Sequence, residues 1–137
     1  MVDAGNLFVY GRSYRPRGGV LPPIEKRHEE RANLIAEIYS RMKVHAVAVG
    51  AMDLALGANR LKALSRKHRL PLLSANLQSA GGAPLFPANR VVDAGGIKFG
   101  LFGLTGTHRA YKALMDPAKY KLADPVEAAK AQVKALK

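Results

Sequence analysis

Two groups of residues in this chain have the types and spacing for chemistry. Tyr10 and Tyr14 alternate with Arg12, Arg15 and Arg17, and three short polar or acidic stretches, Asp3 to Asn6, Gly50 to Asp53 and Ser74 to Asn76, each follow an apolar run. Aromatic rings beside guanidinium groups can stack on and clamp a nucleobase or a single strand, which makes the three arginines candidate anion-binding residues. The same segment reads more readily as a flexible or locally packed loop, or as one that touches another domain. Covalent chemistry has less to work with. With 0 cysteines there is no thiolate nucleophile, thiolate ligand or disulfide. Ser13, Ser40, Ser65, Ser74 and Ser79 lie in no nucleophile-elbow pattern. His28, His45, His68 and His108 form neither an i, i+4 pair nor a cluster, so they read as surface or packing residues. None of the 13 glycines sits in a phosphate-cradling loop of the Gly-x4-Gly-Lys-Ser/Thr kind.

The elements that would position these residues can be read from apolar spacing. Met1 to Asn6 reads as the end of a strand entering a loop, and Gly18-Gly19 and Pro22-Pro23 break the segment that follows. Between Ile24 and Met42, Ala32, Ile35, Ile38, Tyr39 and Met42 recur at helical spacing and predict a face that packs on a sheet. His45 to Val49 is a short β-branched run with the pattern of a covered parallel strand. Ala58 to His68 predicts a basic amphipathic helix with Leu61, Ala63 and Leu64 inward, and Leu70 to Ser74 a further strand. Strand, helix, strand, helix, strand implies right-handed crossovers in a layered α/β fold, whose ligands gather beyond the carboxyl ends of the strands. Asp3 to Asn6, Gly50 to Asp53 and Ser74 to Asn76 would meet there. Asn89 to Ala94 and Ile97 to Leu104, joined by Gly95-Gly96, predict a β-hairpin. Asp124, Pro125 and Glu127 set the N-cap, first position and first-turn carboxylate of a last helix, with Val126, Ala129, Val133 and Leu136 as its stripe.

A length of 137 residues with 48% hydrophobic residues suits one globular domain. No apolar run approaches the roughly 18 residues a membrane span requires, and no signal-peptide succession opens the chain. The net charge of +12 predicts salt-dependent attraction to polyanions. A dedicated nucleic-acid reader would add a recognition helix or aromatic sheet motif to that charge, and no such motif is present.

Four phrases in order carry a family resemblance: Val2-Asp3-Ala4-Gly5-Asn6, Val49 to Gly57, Pro71 to Leu77, and Gly96 to Thr105, with the Ile24 to Met42 helix between the first two. Together they resemble the N-terminal domain of 5'-nucleotidases in the calcineurin-like metallophosphoesterase superfamily. The resemblance implies part of an αββα sandwich and hydrolysis of phosphate monoesters such as nucleotides. It also implies two divalent ions (Mn, Zn or Mg) bound by Asp, His and Asn, which hold the phosphate and activate a water.

Several positions depart from that pattern. The family's metal-bridging Asp is Asn6 here, an amide that supplies no charge to hold two cations. Ala51, Met52 and Ala55 stand where the family has a metal-binding Asn, a phosphate-stabilising His and the Asp that orients it, and Asp53 replaces a Glu. The expectation is therefore that no catalytic residue is retained, with Met52 and Ala55 at the replaced positions. Asn6, Asp3 and Asp53 remain as candidate metal donors, and Asp3 can serve instead in a turn. The family's Asp-x-His and later histidines have no counterpart, so residues 1–137 read as a single incomplete domain whose partner is the remainder of that domain. Little or no phosphoesterase activity is expected of it, and the divalent ions are not expected to be retained. The alternative is a non-catalytic α/β module whose basic surface binds nucleotides, nucleic acid or another polyanion. Family members are commonly exported, so the resemblance also implies an exported or periplasmic protein.

Overall fold

The computed structural model describes residues 1–9, 23–106 and 116–137. Tyr10, Arg12, Tyr14, Arg15, Arg17 and His108 lie outside them. A central parallel sheet is built from β1 (Val2–Asp3), β2 (Ala46–Ala48) and β3 (Leu72–Leu73), in that spatial order. Val2 pairs with Ala46, and Val47 with Leu72. Parallel neighbours need a crossover, and α1 (Lys26–Arg41) and α2 (Ala58–His68) supply the two crossovers. Val47 and Leu72 project into one core cluster with Ala32 and Ala36 of α1 and Leu61 and Leu64 of α2. The fold is thus mixed α/β with flanking helices, as the sequence predicts.

The helix faces differ in detail from the predicted ones. On α1, Ala32 and Ala36 are buried with Ile35 and Tyr39 packed beside them, while Ile38 and Met42 are exposed. At about 100° per residue, Ile38 lies roughly 120° round the helix from Ala32, too far to share its contact. On α2 the inward residues are Ala58, Leu61 and Leu64, and Ala63 is exposed for the same angular reason.

β5 (Asn89–Ala94) and β6 (Ile97–Phe102) form the predicted hairpin, turning through Gly95 and Gly96 at φ +67 and +83. Both values lie where a two-residue hairpin turn needs glycine. α3 (Pro125–Ala135) is capped by Asp124, whose Oδ1 accepts from Val126 N at 2.8 Å and Glu127 N at 2.9 Å. Gln132 is hydrogen-bonded to Asn89 of the hairpin, and a side chain on Gly100 would crowd Leu136, the C-cap residue. Val126 and Val133 of the predicted stripe are exposed. A small antiparallel pair, β4 (Leu77–Ser79) with β7 (Tyr120–Leu122), completes the described strands.

One side of the molecule is apolar and open. Ala46, Ala48 and Leu73 of the sheet, with Ala4, Leu101 and Leu104, line a groove of about 360 Å³. Beside it, Val92, Ile97 and Phe99 share a hairpin face by register, with Ile97 62% and Phe99 46% exposed.

Candidate functional site

The carboxyl ends of β1, β2 and β3 bring the three polar stretches together. β1 runs into Gly5 and Asn6, and Asn6 sits at φ +58, a left-handed conformation that asparagine tolerates better than most residues. β2 runs through Val49 and Gly50 into a 3-10 turn, Met52–Leu56, that sequence spacing does not announce. Gly50 is required by contact: a Cβ there would overlap the backbone nitrogen and side chain of Asn6.

Asp53, only 1% exposed, joins the two loops. Its Oδ2 accepts from Asn6 N at 3.0 Å and Gly50 N at 2.9 Å, and its Oδ1 accepts from Phe8 N at 2.8 Å. In return, Asn6 Oδ1 accepts from Met52 N at 2.8 Å. Burial pushes the Asp53 carboxyl up to about 6 from an ordinary 3.8, against the opposing pull of the backbone N–H groups.

Asp3 is turned elsewhere. Its Oδ1 accepts from Gly5 N at 2.8 Å, closing a turn, and its Oδ2 accepts from Tyr39 Oη at 2.9 Å. Burial, then the hydrogen bond to Asp3 and its charge, raise the Tyr39 phenol above its ordinary range.

The third strand end carries a buried polar set whose role the sequence does not reveal. Ser74 Oγ and Thr105 Oγ1 are 2.8 Å apart, and Thr105 Oγ1 donates to the Val49 carbonyl at 2.8 Å. Asn76 Nδ2 donates to the Thr105 carbonyl at 3.0 Å, and Asn76 Oδ1 accepts from Thr105 N at 2.8 Å. This set ties β2, β3 and the residues after β6 together. The available signal was a small polar residue at the end of each apolar run, without any indication of its partner.

The sequence resemblance implies divalent metal ions, and the donors present do not fit them. A carboxylate offers about four lone-pair positions, and three at Asp53 face N–H groups whose positive ends point to where a cation would sit. The single amide oxygen of Asn6 and both oxygens of Asp3 already accept hydrogen bonds. Met52 and Ala55 carry no oxygen or nitrogen side-chain donor, and both pack against the core. Among the described residues no three His, Asp or Glu side chains converge as a metal site. His28 Nδ1 instead accepts from Glu25 N at the start of α1, and His68 shares Asn33 Oδ1 with Lys67.

No family model matches the chain, and no curated protein matches it significantly. Solved structures do. A 5'-nucleotidase precursor from Thermus thermophilus aligns over 98% of this chain at 23% identity with a TM-score of 0.67. The sulfate thiohydrolase SoxB of Thermus thermophilus aligns over 98% at 16% identity and 0.68, and the NAD nucleotidase of Haemophilus influenzae over 76% at 19% identity and 0.57. The alignments cover 24%, 23% and 19% of those chains, so this chain spans about a quarter of their length or less. The chain shares its fold with a section of each of these three proteins.

Proposed function

We propose that this chain is a scaffold section of a 5'-nucleotidase-type phosphoesterase domain and does not itself turn over phosphate esters. The observation that supports this reading is the commitment of the strand-end acceptors on Asp3, Asn6 and Asp53 to donors of the chain itself. A two-metal hydrolase needs free anionic and imidazole donors at that place to hold the ions and activate water. On this reading, the substrate class of the wider domain is a nucleotide or another phosphate ester. Its Mn, Zn or Mg ions are held by residues outside this chain, and the remainder of the domain covers the open apolar side. Export follows from the same likeness and is checked by cell fractionation. A phosphatase assay on the purified chain with Mn²⁺, Zn²⁺ or Mg²⁺ and a panel of nucleoside monophosphates should stay at background. Sustained metal-dependent turnover would overturn the proposal.

The net charge of +12 favours a second reading, a non-catalytic module that binds a polyanion. Binding to nucleotides or RNA should then weaken steeply as salt rises, and no binding even at low salt removes this reading.

A further inference from the structure

Asn6, Phe8 and Gly50 come from two loops far apart in sequence, and their main-chain N–H groups converge on one carboxylate 45 to 47 residues from the first loop. Successive N–H groups aimed at one point form an anion-binding concavity. Here the left-handed turn at Asn6 and the close approach of Gly50 hold that geometry, while the Asn6 side chain locks the opposite loop through Met52 N. We propose that the strand-end loops form a preorganised oxyanion cradle whose resident ligand is the chain's own Asp53 carboxylate, an internal cross-link between the two loops. A small carboxylate or comparable oxyanion is the chemical class the cradle accepts, because two oxygens in one plane meet N–H donors on both sides. A cation is refused by the same dipoles. The cradle belongs to the loops of this chain and does not depend on what covers the open side.

The test is chemical rescue. Asp53→Ala vacates the cradle, and thermal unfolding is followed in sodium formate against sodium chloride at matched ionic strength. In chloride, D53A should melt several degrees below the wild type. Formate should restore part of the loss saturably, while the wild type responds alike to both salts. Folded D53A that cannot distinguish formate from chloride would overturn the cradle. Amide exchange on the wild-type chain decides the matter independently, including the case in which D53A does not fold. The Asn6, Phe8 and Gly50 amides should exchange slowly and identically with EDTA or Mn²⁺ present. Fast exchange, or protection that appears only with Mn²⁺, contradicts the inference.

Discussion

Asp53 shows how one residue type can serve two chemistries according to which atoms surround it. In sequence it is the one carboxylate left in its loop and a candidate metal donor, but in the fold its oxygens accept from the backbone of Asn6 and Phe8 in a distant segment and of Gly50 in its own loop. Its partners are main-chain groups, which carry no residue-type signature, so spacing could not reveal them. Replacing Asp53 with Asn keeps the shape but turns an NH2 group toward an N–H donor, leaving at least one buried N–H without a partner. That should cost about 1–3 kcal/mol, read as a lower denaturation midpoint. The pH dependence has a definite sign. A folded value of about 6 against an ordinary 3.8 means the folded state binds the proton more tightly between those values. This stabilisation is complete below the unfolded value and is lost as pH rises through about 6. A gap of about two between the folded and unfolded values corresponds to about 3 kcal/mol. Urea unfolding at pH 7.5, 6 and 5 should therefore show the wild type gaining on D53N as pH falls. Parallel profiles would contradict the buried carboxyl.

At the scale of elements, legibility followed the range of the interaction. The hairpin and the cap of α3 depend on residues within a few positions of one another, Gly95-Gly96 and Asp124-Pro125, and the structure has both. The β4–β7 pair joins residues such as Leu77 and Leu122, three residues per strand and far apart in sequence, and nothing local announces it. The helix stripes were legible as helices but not as faces. Ile38, Met42, Val126 and Val133 are apolar and periodic, yet they point away from the core, because side-chain type does not say which side of a helix meets the sheet. Asp124→Ala removes the acceptor for two N–H groups at the start of α3, and about 1 kcal/mol of helix stability with it. Amide exchange should accelerate in α3 first and leave β2 protected. Uniform acceleration would mean that α3 is part of a single cooperative unit with the parallel sheet.

For the whole molecule, the open apolar side and the positive charge pull in different directions. Exposed Ile97 and Phe99 favour association, whereas a charge of +12 opposes it at low ionic strength. Added salt should therefore increase self-association, as measured by sedimentation velocity. The double variant Ile97→Lys, Phe99→Lys should stay monomeric at the same salt with an unchanged melting temperature. A large fall in melting temperature would instead show that this face is needed for the chain's own stability. The sequence resemblance carried the fold because strand-end phrases in a fixed order encode a topology. It left the site open, because Asn6, Ala51, Met52, Asp53 and Ala55 depart from the family's residues without disturbing that order.

Calorimetric titration of the metal-stripped chain with Mn²⁺ and then Zn²⁺, paired with its melting temperature, probes the strand ends most directly. With their acceptors already held by backbone N–H groups, the titration should give no saturable heat for two ions, and the melting temperature should not move. Binding of two ions per chain that disappears in both Asn6→Ala and Asp53→Ala would contradict that arrangement.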